Sequence, residues 1–166
     1  MIGPVELIVA AFPDIKRAPE VLGELKQLDR EGVIQVINAA VVVKTKLGKT
    51  TVEETGDPKA KHGALFGAVA GGLIGLLGGP VGVIVGAAAG AATGGVAADR
   101  IDMGFDDDYL KEVRDSLPLG SSAIIALVQH EWVDRVVDAL EDYEAQVIRR
   151  AIKEDIVAQL SDAEED

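Results

Sequence analysis

A run of residues without a single charged side chain, from 63 to 98, divides this chain into three parts. Twelve of the 19 glycines fall within this run. Residues 1–62 hold nine acidic and nine basic side chains, whereas residues 99–166 hold 19 acidic and seven basic ones. The whole net charge of −12 therefore lies after the uncharged segment, which we interpret as an apolar insert within one small domain.

Glycine recurs at every fourth position of this segment. One series is Gly63, Gly67, Gly71, Gly75 and Gly79, and a second is Gly78, Gly82, Gly86, Gly90 and Gly94. A spacing of four places each series on one stripe of an α-helix. Because glycine costs a helix about 0.5–1 kcal/mol relative to alanine, close approach of a second helix must offset that cost. We therefore predict a helical hairpin with arms Gly63–Gly78 and Val81–Ala98, packed through these glycines.

The sequence is compatible with two environments for the predicted hairpin, a lipid bilayer and a protein interior. Its arms would be roughly 24 and 27 Å long, against a hydrocarbon core of about 30 Å, so they are marginal for spanning a bilayer. Lys59 and Lys61 precede the first arm and would lie near lipid headgroups. The alternative is a hairpin buried only against protein, including other copies of the chain. Self-association is expected either way, since a lone hairpin would expose a large apolar surface.

The flanking segments predict an α+β fold. Val5–Ala11, Val33–Lys46, Thr50–Glu54, Ser122–Gln129 and Gln146–Ala151 are apolar or β-branched and are predicted as strands, the second with a bend near Asn38. Helical spacing predicts a first helix that has Pro19 in its first turn and ends at Glu31-Gly32. It also predicts helices from Asp106 to Ser116 and from Glu131 to Asp142. Without the insert the order is strand, helix, strand in each half. This order predicts a ferredoxin-like split βαβ antiparallel sheet with both helices on one face.

The predicted organisation has four parts. Residues 1–57 form the first half of the ferredoxin-like domain, 58–100 the glycine-zipper hairpin, 101–152 the second half, and 153–166 a C-terminal helix with an acidic tail.

Several short motifs carry a family resemblance. They are Gly3-Pro4-Val5-Glu6, Phe12-Pro13, Glu31-Gly32-Val33-Ile34, Gly120-Ser121-Ser122-Ala123 and His130-Glu131-Trp132. Together they resemble a group of uncharacterised bacterial proteins common in actinobacteria. The insert resembles the glycine-zipper segment of a related family known only as predicted membrane proteins of unknown function. The resemblance implies a ferredoxin-like domain, membrane attachment and an association with stress responses, and it carries over no catalytic residue.

Composition excludes several chemistries. The absence of cysteine removes disulfides and thiolate sites. His62 and His130 alone leave little for an imidazole metal site or a catalytic triad. The acidic balance argues against nucleic acid as a partner. No secretory signal is expected, because Pro4, Glu6 and Asp14 interrupt the N-terminal apolar run.

The remaining polar motifs receive structural interpretations. His130 and Glu131 could form a ligand site, but we favour Trp132 packing in the core and Glu131 stabilising a helix N-terminus. Asp102, Asp106, Asp107 and Asp108 lack the spacing of a calcium loop and suggest an acidic helix cap. Lys44, Lys46 and Lys49 suggest protection of a sheet edge. His62 is interpreted only as the boundary of the insert. Ser121-Ser122 suggest a turn and a strand start rather than a nucleophile, because the GxSxG pattern is absent.

The sequence therefore predicts a non-enzymatic homo-oligomer that assembles through its glycine-zipper hairpin. Its partners would be itself and a lipid membrane, with no cofactor, no metal and no nucleic acid. We expect it in the cytoplasm or at the inner membrane. Two alternatives stay open: a soluble small-ligand or sensor module with the hairpin as a lid, and a membrane-permeabilising protein.

Overall fold

One six-stranded sheet organises the protein. This computed structural model describes residues 4–48, 50–54, 69, 70, 73, 83–85, 105–155, 157 and 158. The strands are β1 (Val5–Phe12), β2 (Asn38–Lys44), β3 (Thr50–Glu54), β4 (Val83–Val85), β5 (Ser121–Gln129) and β6 (Gln146–Ala151). Their order across the sheet is β4-β3-β2-β5-β1-β6. The pairs β3–β2, β2–β5, β5–β1 and β1–β6 are antiparallel, and β4 pairs in parallel with β3.

The two halves of the chain interleave within this sheet. Strand β1 of the first half lies between β5 and β6 of the second half. Strand β5 in turn lies between β1 and β2. Both central strands are almost entirely buried, which explains their continuous apolar sequences, since a strand covered on both faces has no solvent side to alternate with. The predicted α+β class and the antiparallel strands are confirmed.

Two helices cover one face of the sheet. They are α1 (Arg17–Arg30) and α3 (His130–Asp142). Each turns an apolar stripe towards the strands: Val21, Leu22 and Leu25 from α1, and Val133, Val136 and Leu140 from α3. Helix α1 ends at the predicted place, where Gly32 adopts a φ of 78° that a side chain would disfavour.

The opposite face is covered by later parts of the chain. Helix α2 (Asp107–Asp115) contributes Tyr109, Leu110 and Val113, and the C-terminal region contributes Ile152 and Val157. Glu154, Asp155, Val157 and Ala158 are helical, as the predicted C-terminal helix requires.

Three residues of the uncharged segment also pack on this second face. Val69, Ala70 and Leu73 are helical, at most 5% exposed, and belong to the same apolar cluster as the odd-numbered residues of β1. Part of the predicted first arm is therefore helical and buried against the sheet of its own chain.

The predicted second arm is wrong at Val83–Val85, which form strand β4. Two β-branched valines and an isoleucine favour a strand, and β3 offers them an open edge. Parallel neighbours require a long crossover connection, usually helical. Val69, Ala70 and Leu73 lie in the connection from β3 to β4 and provide helix at that place. The β-strand pairing thus replaces the predicted return helix at these three residues.

The second strand is shorter than predicted. The sequence predicts a strand over Val33–Lys46, but β2 begins only at Asn38, the position of the predicted bend. Residues before it are held by individual hydrogen bonds: the Val36 N–H donates to Asp29 Oδ2 at 3.3 Å, and the Ile37 N–H to the Leu127 carbonyl at 2.9 Å.

Candidate functional site

A buried carboxylate lies on the central strand β1, on the face covered by α1 and α3. Glu6 has only 9% of its side chain exposed. Arg149 on β6 donates two hydrogen bonds to this carboxylate, from Nε to Oε1 at 3.1 Å and from Nη2 to Oε2 at 3.2 Å. His130, the first residue of α3, places Nδ1 3.0 Å from Oε2. We call Glu6, His130 and Arg149 the Glu6 cluster.

The electrostatics of the Glu6 cluster favour the ionised carboxylate. Desolvation by burial raises the pKa of Glu6, but the hydrogen bonds and charges of Arg149 and His130 outweigh it and hold the pKa below its usual range. The hydrogen bond to Glu6 likewise raises the pKa of Arg149. Asp134 adds a peripheral contact to Arg149 Nη1 at 3.5 Å, with 91% of its side chain exposed. Such an exposed contact adds little stability.

The geometry of the Glu6 cluster limits its chemistry. Both carboxylate oxygens of Glu6 already accept hydrogen bonds, and a bidentate arginine fixes their orientation. A general base or a metal ligand needs a free lone pair, and the three hydrogen bonds occupy three of the roughly four that a carboxylate offers. The Glu6 cluster is therefore suited to joining β1, β6 and the start of α3.

The three residues of the predicted motif His130-Glu131-Trp132 have different contacts in the structure. His130 contacts Glu6 rather than Glu131, which is exposed in the first turn of α3. Trp132 is half-buried against the α1–α3 face, and the Arg135 guanidinium lies 5.1 Å from its ring centroid. The packing role for Trp132 is thus confirmed. Sequence reasoning missed Glu6 as a site residue, although a lone acid in an otherwise apolar strand was a usable signal.

A second polar cluster lies on the opposite face of the sheet. Adjacent residues of a strand point to opposite faces, and Arg150 accordingly contacts Asp106 Oδ2 at 3.0 Å. Its guanidinium lies 5.3 Å from the ring centroid of Tyr109, which stacks on Phe105 at 5.4 Å. Burial raises the pKa of Tyr109. In the part of the chain that the structure describes, the buried Tyr109 hydroxyl has no hydrogen-bond partner.

The acidic run before α2 forms the predicted helix cap. Asp106 Oδ1 accepts a hydrogen bond from the Tyr109 N–H at 2.8 Å, and Asp107 and Asp108 occupy the first turn. That backbone hydrogen bond lowers the pKa of Asp106. Asp102 lies outside the described residues. No group of three metal-binding side chains occurs among the residues that are described.

The two serines that open β5 have structural partners. Ser122 is fully buried, and its Oγ donates to the Asp14 carbonyl at 2.6 Å and accepts from the Ala18 N–H at 3.1 Å. Ser121 Oγ donates to the Pro118 carbonyl at 2.6 Å. The predicted turn and strand start are confirmed.

The predicted edge role of the lysines is wrong for Lys44. This residue ends β2, which lies between β3 and β5, so its strand is not an edge of the sheet. Lys46 lies in the turn that follows, and Lys49 lies outside the described residues.

The residues predicted to pack the hairpin are the glycines of the two four-residue series. All of them lie outside the described residues, as does His62: Gly63, Gly67, Gly71, Gly75, Gly78, Gly79, Gly82, Gly86, Gly90 and Gly94. Within the described ranges, no helix is both long enough and apolar enough to cross a bilayer.

One comparison places the chain in a family. A family profile described as protein of unknown function, DUF1269, matches residues 64–164, more than half of the chain. The chain belongs to the DUF1269 family. The DUF1269 match takes in most of the uncharged segment together with α2, β5, α3 and β6, whereas β1 to β3 precede it. No curated protein and no solved structure matches the chain significantly.

Proposed function

We propose that this DUF1269 protein is a non-enzymatic homo-oligomer, in which the glycine-rich segment joins copies of a ferredoxin-like domain. The strand order β6-β1-β5-β2, with one helix following β1 and another following β5, supports the ferredoxin-like assignment. The carboxylate of the Glu6 cluster, already held by three hydrogen bonds, supports a role without catalysis. The proposal includes the glycine zipper and the association with stress responses that the resemblance to actinobacterial proteins implies.

The observation that carries the proposal is the burial of Val69, Ala70 and Leu73 on the chain's own sheet. The proposal extends the helix of these three residues to the glycines: at about 100° per residue, Gly67, Gly71 and Gly75 would lie roughly 115–165° from the mean direction of the buried side chains. The proposal therefore assigns the glycine series to a contact other than the sheet. A series of small residues at this spacing is suited to close contact with another helix, and a second copy of the same segment supplies one.

Strand β4 restricts the proposed helix–helix contact to the first glycine series. Gly82 and Gly86 directly flank Val83–Val85 in the sequence, where the structure has a strand. Glycine beside a strand commonly marks its end or a close backbone approach. We assign helix contact to the series from Gly63 to Gly79 only.

The sign of a glycine-to-alanine change tests the proposal. In an ordinary exposed helix position the change stabilises by about 0.5–1 kcal/mol. In a close helix contact the added methyl group pushes the backbones apart. Gly71→Ala should therefore shift the full chain towards smaller species in sedimentation velocity, while Gly23→Ala leaves the size unchanged. Gly23 is a matched control because it lies in α1 with open space around a built Cβ.

Two outcomes would contradict the proposal. One is a wild-type chain that sediments as a monomer across the concentration range. The other is Gly71→Ala behaving like Gly23→Ala, with unchanged size. Deleting residues 61–99 is a poorer test, because it also removes Val69, Leu73 and β4, which belong to the sheet and its core.

A second candidate function is supported by Tyr109. Its hydroxyl is buried in the same apolar cluster as Val69 and Leu73, without a partner among the described residues. A small ligand with a hydrogen-bonding group, covered by the uncharged segment, would satisfy it. A thermal-shift screen in which hits stabilise wild type but not Tyr109→Phe, with the protein monomeric, would favour this function over self-assembly.

A further inference from the structure

Exposed apolar side chains gather at one end of the sheet. Four large apolar side chains of the described residues are exposed: Ile15 at 39%, Val33 at 50%, Leu47 at 97% and Leu119 at 59%. Three of these, Ile15, Leu47 and Leu119, lie on the loops where β1 and β2 end and β5 begins. We call these three residues, with Lys44 and Lys46, the tip surface.

Turn geometry holds the two leucines outward. The Gly48 N–H donates to the Thr45 carbonyl at 3.0 Å, which closes a turn around Leu47. Leu119 and Gly120 lie within a second turn, closed by the Ser121 N–H and the Pro118 carbonyl at 3.2 Å. Each leucine is followed by a glycine of positive φ, 85° at Gly48 and 81° at Gly120. A positive φ favours glycine, which has no Cβ to clash.

The two turns are joined to each other. The Gly120 N–H donates to the Lys44 carbonyl at 2.8 Å. A Cβ built on Gly48 would lie 3.8 Å from Leu119 Cδ2, and one built on Gly120 would lie 3.5 Å from Lys46 Cγ. Leu119 therefore lies beside Gly48 of the first turn, and the stem of Lys46 lies beside Gly120 of the second.

The lysines give this surface a local positive charge. Within the described ranges neither Lys44 nor Lys46 takes part in an ion pair. The nearby Asp14 carboxylate accepts a hydrogen bond from the Lys16 N–H at 3.0 Å. The acidic end of α3 leads into β6, three strands from β2 in the sheet order. Three strand spacings are about 14 Å, which exceeds the screening length of about 8 Å at physiological salt. The acidic end of α3 therefore lies beyond the screening length from these lysines.

We propose that the tip surface docks on an anionic lipid bilayer. Apolar side chains on separate loops can enter the boundary between headgroups and acyl chains, and lysines beside them pair with anionic headgroups. Isolated exposed apolar residues are common on proteins, but here three share one end of the sheet with two lysines that form no ion pair with any described residue. The proposal does not depend on the glycine-rich segment, so its failure and that of the proposed function are separate.

Vesicle flotation of the full chain tests the proposal. Wild type should float with vesicles of phosphatidylcholine containing phosphatidylglycerol, more weakly with phosphatidylcholine alone, and less as salt rises. Leu47→Ser combined with Leu119→Ser should lower the partition coefficient by about tenfold or more. Lys44→Gln with Lys46→Gln should remove the preference for phosphatidylglycerol. Val33→Ser is the matched control, since Val33 is exposed but follows the far end of α1.

Thermal melting of each variant, with no lipid present, verifies that the fold is unchanged, as expected for exposed turn residues. Three results would overturn the proposal. Wild type that does not float with either vesicle is the first. The second is full flotation of the double leucine variant, which would assign membrane contact to another part of the chain. The third is a change from oligomer to monomer in that variant without lipid, which would show that a second copy covers the tip surface.

Discussion

Arg149 and Glu6 join the edge strand β6 to the central strand β1 through a bidentate ion pair, with both oxygens of the buried carboxylate engaged. The partners differ in exposure, because 41% of the arginine side chain reaches solvent but only 9% of the glutamate does. Removing Glu6 therefore leaves a cation that water can reach, whereas removing Arg149 leaves a buried anion.

We predict that Arg149→Met is more destabilising than Glu6→Gln. Loss of the arginine leaves a buried carboxylate with His130 alone, which should cost about 3 kcal/mol. Loss of the glutamate charge leaves a guanidinium that water can solvate, which should cost about 1–2 kcal/mol. Urea unfolding measures both values. Lys111→Ala, which breaks the exposed pair with Asp115, is the control and should cost less than about 0.5 kcal/mol. Equal effects of the two cluster variants would contradict the asymmetry.

Acid should weaken the fold through the same carboxylate. The folded-state pKa of Glu6 lies below its usual value of 4.5. Its ionised form therefore contributes stability above about pH 4.5, and this contribution is lost as the pH falls through the folded pKa. The difference in unfolding free energy between wild type and Glu6→Gln should accordingly be constant near neutrality and narrow below pH 4.5. A difference that widens in acid would contradict a lowered folded-state pKa of Glu6.

Leu73→Ala should destabilise the folded domain by about 2–4 kcal/mol, because the leucine is fully buried in the core beside the sheet. Denaturant unfolding in the absence of lipid measures this value. Leu47→Ala, at a leucine that is 97% exposed, is the matched control and should change stability little. If both leucines behaved alike, residue 73 would not belong to the core of its own chain.

Two glycines of the first half should respond in opposite directions to alanine. Gly23→Ala should stabilise the protein by about 0.5–1 kcal/mol, since Gly23 lies within α1 and nothing lies within 4 Å of a built Cβ. Gly32→Ala should destabilise by about 1–2 kcal/mol, because its φ of 78° is strained for an L side chain. Thermal melting of the two single variants gives both signs. The same sign for both would mean that backbone conformation does not decide these effects.

Local pattern predicted the parts of the fold that depend on local physics. The apolar run of Val5–Ala11 and the helical spacing of Trp132, Val133 and Val136 predict their elements correctly, because each buries a regular face. Gly32 likewise predicts the C-terminal end of α1, and Asp106 predicts the N-terminal end of α2, because each satisfies a local requirement of a helix terminus.

What escaped prediction depends on residues far apart in the chain. Glu6 and Arg149 are separated by 143 positions, so no spacing rule connects them. Strand β4 was also missed, because the four-residue glycine spacing suggested a helix throughout, and a vacant edge on β3 exists only once the sheet has formed.

The pairing of β1 has a consequence for how the chain acquires its structure during synthesis. Its nearest partner in sequence is at least 110 residues downstream, as in the pair Phe12 and Ser122, and its other neighbour, β6, comes later still. A nascent chain on the ribosome therefore carries an apolar strand with no native neighbour until β5 has emerged. Contacts of such long sequence separation slow folding and prolong exposure to aggregation. Chaperone contact with the first strand is the expected companion of translation for this topology.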